Sequence, residues 1–452
     1  MPINDAILRL LQAGINSLAA YLAAHVLLCL LPAFFIAGAM TALIPKETIT
    51  RFLGRDSSKW VSYPAAAIGG FVLAVCSCTI MPLFAGIYKK GAGIGPAMTF
   101  LFVGPAVNIL AISFTGVQIG MDIALARLIL ALIFGTLIGG LIMAWIFQKD
   151  DKAHQQETNG LFSQRAKLSS PTIALFILLM GILIVGTLQV NALSSSMLDI
   201  HIEAAWAPRL QEELTRLKMV NADGESAGVT VQGLMLIVLL VFVAAAAWRG
   251  FSHADEGISA AALAALGLIS FTVLAAALKI DATASGLSIG LTGRLAVETG
   301  LIAAAWLLGA AFIPAREIGN WLWETLRFMK QIIPLLLLGV FLAGVARALI
   351  PPAWVARVAG QNTLMANLAA VLFGVFAYFP TLVEVPVAQT FLSLGMHRGP
   401  LLAYLLADPE LSLQSILITE SVIGRKKTAM YVGLVVLFST LSGYLFGLTL
   451  GS

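Results

Sequence analysis

Of 452 residues, 59% are hydrophobic and 11% are charged, whereas an ordinary soluble domain carries about a quarter charged residues. So few charges cannot cover a water-facing surface. The net charge of +4 comes from basic residues in short loops, which bias orientation and meet anionic lipid; no nucleic-acid partner is expected. The apolar residues come in blocks of about 20, each enough to cross roughly 30 Å of hydrocarbon as a helix. The expected fold is an all-α polytopic membrane protein with about 10–12 transmembrane helices, multi-pass in a bacterial-type inner membrane or plasma membrane.

The chain opens on MPINDAILRLLQAGIN. An acid at Asp5, a single base at Arg9 and no small-residue cleavage pattern argue against a removable signal peptide. Ile7, Leu10, Leu11 and Ile15 suit an amphipathic helix on the membrane surface. Candidate spans follow at about 17–43, 61–88, 93–113, 123–147, 170–191, 231–248, 257–278, 295–314, 331–350, 364–390, 397–418 and 428–449. Two polar stretches interrupt them. Residues 148–169 read as a flexible linker, and residues 191–228 contain an amphipathic helix with Leu210, Leu214 and Leu217 on one side. Loop Lys and Arg divide almost evenly between the two sides, so orientation is not resolved.

The ends of the chain echo one another. AGAMTALIPKETITRFLG at residues 37–54 matches AGVARALIPPAWVARVAG at 343–360, and further on Gly70 pairs with Gly374, Pro82 with Pro386, Pro96 with Pro400 and Pro105 with Pro409. The three prolines keep one internal spacing in both copies. A second surface-helix candidate, residues 316–330, opens the later copy. These matches predict two parallel internal repeats with Pro/Gly-broken helices, 1–147 and 316–452, around a linker and inserted scaffold at 148–315.

Soluble-enzyme signatures are missing: no Walker A loop, no HExxH, and no G-x-S-x-G with a histidine and acid to serve it. Polar chemistry concentrates in the broken helices instead. The first copy places Cys76, Ser77, Cys78 and Thr79 just before Pro82, whose missing N–H frees the Cys78 carbonyl. Two thiols one residue apart point about 200° apart on a regular helix, so they share one soft ion only where the backbone unwinds. Thiolates favour thiophilic species such as trivalent arsenicals or copper(I); as packing residues the same cysteines are small and apolar. Cys29 reads as packing. Gly104 and Pro105 mark a second break, followed by Asn108, a candidate for a substrate's polar group.

The second copy is acidic at the corresponding places. Glu384 precedes Pro386, Asp408 and Glu410 flank Pro409, and Ser412 aligns with Asn108. A carboxylate at bilayer depth costs about 2.5 kcal/mol or more, so such residues line cavities or relay protons. Glu384 is the clearest case, with no base for a dozen residues on either side. Arg127, near the start of a span, is expected to snorkel towards the interface.

The string CSCTIMPLFAGIYKKGAGIGPAMTFLFVGPAVN resembles the signature of the predicted-permease family that includes the organoarsenical efflux permease ArsP and the YraQ-like inner-membrane proteins. The resemblance covers both repeats, while the inserted middle makes this chain longer than compact members. It implies an efflux permease and, for the ArsP branch, a trivalent organoarsenical recognised through thiols, with Cys76 and Cys78 matching the motif cysteines. The expectation is therefore a permease, not an enzyme, for a small-molecule or metalloid solute. Cys76, Ser77, Cys78, Asn108 and Ser412 would bind it and Glu384, Asp408 and Glu410 would couple transport to protons. The lipid bilayer is a further expected partner, no cofactor is implied, and a homo-oligomer is allowed. Rival readings are a permease for an unrelated solute, an intramembrane thiol oxidoreductase with a strained one-residue ring, and a scaffold subunit docking through 191–228.

Overall fold

The computed structural model describes residues 10–449, leaving out 45–51, 55–56, 74–76, 108, 152–168, 188–192, 194, 205, 217–229, 284–285, 350–353, 355–356, 378, 380–383 and scattered positions between 17 and 29. The helices in chain order are α1 Leu31–Leu43, α2 Lys59–Leu73, α3 Ser77–Lys89, α4 Ile94–Ala106, α5 Ile109–Gln118, α6 Met121–Ile146 and α7 Ser170–Thr187. There follow α8 Trp206–Arg216, α9 Val231–Phe251, α10 Ala260–Ala277, α11 Gly293–Phe312 and α12 Ala315–Leu349. The last are α13 Leu364–Ala377, α14 Glu384–Ser393, α15 Arg398–Ala407, α16 Leu413–Ile423 and α17 Arg425–Thr449. Among the described residues, 7 helices are long and apolar enough to cross a membrane, and the chain is an all-α polytopic membrane protein with one small sheet. Of the expected N-terminal surface helix, residues 10–16 are helical and Asp5 lies outside the described residues.

The chain forms two compact units. One comprises Leu18–Pro45 and Ala166–Gln331, the other Met1–Ser17, Lys46–Arg165 and Ile332–Ser452; α12 gives residues 315–331 to the first and 332–349 to the second. These units group residues 18–45 with the middle of the chain, which the segmentation at 147 and 316 did not.

In the unit built on the middle of the chain, α7 and α10 are apolar around their whole circumference, as spans in lipid require, whereas α9 carries Gln232 and Arg249 near its ends and α11 carries Arg294 and the buried Glu298. Thr230, Ser259 and Thr292 cap α9, α10 and α11 by accepting from Gly233, Ala262 and Leu295 N–H. Gly250 lets α9 approach α10 closely, since a Cβ there would lie 2.7 Å from the Ala261 carbonyl oxygen. The sheet, β1 Ser196–Glu203, β2 Lys279–Thr283 and β3 Gly286–Thr292, is antiparallel in the order β1-β3-β2. Its signal is a two-residue alternation: Leu198, Ile200 and Ile202 against Asp199, His201 and Glu203. The expected amphipathic helix is α8, which buries Ala207 and Leu214 and exposes Glu212 and Glu213; Leu217 lies outside the described residues.

The other unit is made of shorter pieces. α4 and α15 start at Ile94 and Arg398, α5 and α16 at Ile109 and Leu413, α6 and α17 at Met121 and Arg425, every pair 304 residues apart. Gly91 and Gly395 (φ 91° and 96°) turn the chain into α4 and α15, and Gly120 and Gly424 (φ 146° and 85°) turn it into α6 and α17. The packing follows the same pairing: α2 lies on α4 and α13 on α15, α4 on α6 and α15 on α17. Between the halves the contacts are reciprocal, α3 on α16 and α14 on α5. Within α6, residues Gly135–Ile142 are π-helical, and hydroxyls serve carbonyls there: Thr99 Oγ1 donates to Gly135 O (3.0 Å) and Tyr63 OH to Gly140 O (2.9 Å).

The paired turns are open to a backbone test. Nothing lies within 4 Å of a Cβ at Gly395, Gly424 or Gly433, but only the first two have positive φ. Gly395→Ala and Gly424→Ala should each destabilise by about 1–2 kcal/mol through strain alone, lowering the thermal midpoint of the detergent-solubilised protein. Gly433→Ala, in the interior of α17, should leave that midpoint unchanged or raise it.

Candidate functional site

The buried carboxylates Glu384, Asp408 and Glu410 of the second unit lie where its short helices begin or end. α14 begins at Glu384, and the turn Asp408–Glu410 separates α15 from α16. Pro386 falls in the first turn of α14, where its missing N–H has no intrahelical partner to lose. Pro409 sits in the turn itself. Gly104 and Pro105 are the last residues but one of α4, which ends at Ala106 with Val107 as its C-cap. Pro82 does not break its helix: α3 runs through it from Ser77 to Lys89. Proline removes one hydrogen bond, to the Cys78 carbonyl in the first helical turn, and the rest of the helix is intact.

Glu384 is wholly buried and pairs with Arg127 of α6, Nη2 to Oε1 at 2.5 Å, with side-chain exposures of 0% and 1%. The expectation that Arg127 snorkels to the interface is thus corrected. A buried carboxylate on another helix, 257 positions away, supplies the counter-charge that water would have supplied at the interface. Arg127 Nη1 also reaches Thr115 Oγ1 of α5 at 3.4 Å, and that hydroxyl donates to Ala111 O at 2.7 Å. One turn of α6 away from this pair, at the edge of the unit, Asp122 accepts from Arg398 Nη2 at 2.7 and 2.8 Å. That pair is partly exposed and contributes little.

Glu410 is 3% exposed and its Oε2 accepts from Tyr431 OH of α17 at 3.3 Å. Tyr431 and Arg127 are 304 residues apart, so the two donors occupy matching places on α17 and α6 and each holds a carboxylate from the later half of the chain. Asp408 is buried at the C-cap of α15, beside Gly374 of α13, where a Cβ would come within 3.3 Å of the Asp408 Cβ. Ser412 is the N-cap of α16: it accepts from Ser415 N–H at 3.1 Å, and Ser415 Oγ accepts from Ser412 N–H at 2.8 Å. Its hydroxyl thus serves to start a helix inside the protein. Gln414, in the first turn, is buried with neither amide atom hydrogen-bonded. Glu384 Oε2, Glu410 Oε1 and Arg127 Nε are likewise buried without a partner. Buried polar atoms left in this way are what a polar solute, a proton or water would satisfy.

Cys76 and Asn108 lie outside the described residues. Ser77 and Cys78 are the first two residues of α3, and nothing is described of their side chains. Among the described residues no group of three or more His, Cys, Asp or Glu is placed to hold a metal ion. Arg127 and Tyr431 are the members that sequence reasoning missed. Arginine within an apolar span was itself the available signal.

Truncating one member of the buried pair should leave the other charge stranded. Arg127→Met or Glu384→Met alone should destabilise by about 3–5 kcal/mol, and the double variant should be more stable than either single one. Chemical denaturation in detergent reads this directly, and additive losses would show that the two side chains do not interact.

Comparison with known proteins agrees with this architecture. The predicted-permease family model ArsP_1 matches residues 12–448. UPF0718 protein MJ0584 of Methanocaldococcus jannaschii is 34% identical over 450 residues, covering 100% of this chain and 99% of its own. UPF0718 protein YraQ of Escherichia coli is 31% identical over 104 residues, 23% of this chain and 30% of its own. No solved structure matches. A match across nearly the whole length, on a chain of membrane-spanning helices with a buried charge pair among broken ones, places this protein in the predicted-permease family.

Proposed function

We propose that the protein is a permease of a bacterial-type inner or plasma membrane that exports a small thiophilic solute, such as a trivalent organoarsenical, in exchange for protons. The observation that carries this reading is the Arg127–Glu384 pair, wholly buried where short helices meet. Ionisable groups at such depth mark solute and proton pathways. Each end of a short helix leaves backbone groups that a passing solute can use.

The roles divide between two halves that we take to be duplicated copies, a view supported by the constant 304-residue offset of helix starts and positive-φ glycines. The earlier half provides Cys76, Cys78 and Asn108 as ligands for a soft solute and its polar substituents. The later half provides Glu384, Asp408 and Glu410 as proton carriers, with Ser412 fixing the start of α16. Protonation of Glu384 neutralises it and frees Arg127, which links proton entry to movement of the helices that carry the two groups. A family described as permeases and the absence of soluble-enzyme motifs favour transport over the thiol-oxidoreductase reading.

Everted vesicles loaded under an imposed pH gradient test this. Trivalent methylarsenical, copper(I) and antimonite are offered to the wild type and to Cys76→Ser, Cys78→Ser and Glu384→Gln. Transport of a thiophile should fall at least tenfold, about 1.4 kcal/mol of recognition, with either serine variant. Glu384→Gln should abolish the response to the gradient. Full transport without both thiols would assign Cys-Ser-Cys to packing and turn the search to other solutes.

A further inference from the structure

The unit built on the middle of the chain contains a cavity of about 490 Å³ among α1, α7, α10, α11 and the start of α12. Its size is that of a ligand pocket, not of a packing defect. The walls are aliphatic and aromatic, Leu179, Leu266, Ile269 and Ile302 among them, and three side chains bring polar atoms: Ser270, Trp306 and Trp321. Two of those atoms are engaged with the protein itself. Trp306 Nε1 donates to Ser270 Oγ at 3.1 Å, and Trp321 Nε1 donates to Phe35 O at 2.7 Å. A buried water or polar ligand needs two to four partners, and this wall offers one hydroxyl hydrogen.

The surroundings of the cavity say what can enter it. α11, which forms one wall, is the barest of the spans, with 11% of its spanning window buried. Leu263 and Trp306 line the cavity while being 49% and 39% exposed, and Leu307 beside them is 72% exposed. The apolar wall therefore continues onto a surface that faces hydrocarbon. We propose that this cavity seats one acyl chain of a membrane phospholipid, taken in laterally from the bilayer between α10 and α11 and held by its tail, not by its headgroup. Transfer from bilayer to protein exchanges one apolar surrounding for another, so the gain is one of packing. A seat of this kind selects tail length and shape while accepting different headgroups.

The test uses full-length protein in nanodiscs of phosphatidylethanolamine and phosphatidylglycerol, doped with either phospholipid carrying a diazirine near the end of one acyl chain. Photolabelling followed by peptide mapping should mark cavity residues such as Leu266 and Ile302, with both headgroups, besides the outer residue Leu307. Two filling variants close the seat. A Cβ at Gly309 would meet only Ile318 Cδ1, at 4.0 Å, so Gly309→Leu fills the cavity without moving backbone, and Ala305→Leu fills it from the next turn of α11. Either should reduce cavity labelling about tenfold, while Leu307 labels as before. Labelling confined to outer positions such as Leu307, or cavity labelling unchanged in both variants, would overturn the proposal. Retained labelling at Leu307 and an unchanged thermal midpoint show that each variant is folded.

Discussion

In hydrocarbon every backbone N–H and C=O must find its partner within the protein, and each helix end leaves four of one kind without one. A helix of about 20 residues puts its ends in water and can face lipid along its length. The pieces α3, α4, α5, α14, α15 and α16 have 10–13 residues and cannot do so. Protein must cover them. All 13 residues of α4 are accordingly buried, as are residues 399–407 of α15, whereas the long spans α7 and α17 have a third of their windows buried. Their ends are closed by side chains: Asp151 accepts from Ile94 N–H (2.9 Å), His397 from Gly399 N–H (3.1 Å), and Ser412 and Ser415 close a capping box. Short helices inside and long helices outside is thus a consequence of hydrogen-bond accounting in a solvent that offers none.

Charge adds the second layer. A buried ion pair is a weak source of stability, since desolvation offsets most of the attraction; on the proposed reading, Arg127–Glu384 is kept among broken helices for transport. The polar side chains are unequally divided along the chain. Ile80 and Ala106 stand 304 positions before Glu384 and Glu410, and both are buried and apolar. The later half alone carries these acids, while the earlier half carries the arginine.

Much of this was legible in the residues and some was not. Composition and block length gave the solvent and the helical class, because a bilayer leaves few alternatives. Glu384 stood out because nothing nearby in sequence could neutralise it. Its partner was invisible for the same reason: Arg127 lies in another apolar block, and only packing brings α6 to α14. Pro82 was overread, since a proline in the second turn of a helix removes one bond and need not interrupt it. The sheet was underread. Strand alternation at residues 198–203 and 287–291 was present, but short runs between apolar blocks were taken for loops, and pairing of β1 with β3 spans the whole of α8 to α10.

Reciprocal packing has a mechanical consequence. With α3 against α16 and α14 against α5, the halves, on the proposed reading of them as duplicated copies, meet through equivalent surfaces, as in a two-fold dimer made from one chain. In a permease, such an interface would have two equivalent ways to tilt, which alternating access requires. The Arg127–Glu384 bond crosses it and resists either tilt while both groups are charged. On the proposed reading, neutralising Glu384 removes that restraint, and the freed guanidinium must then be satisfied by solute or water before the halves can settle again. The symmetric frame would supply the motion, and the asymmetric placement of one arginine and its acid would decide when the motion is allowed.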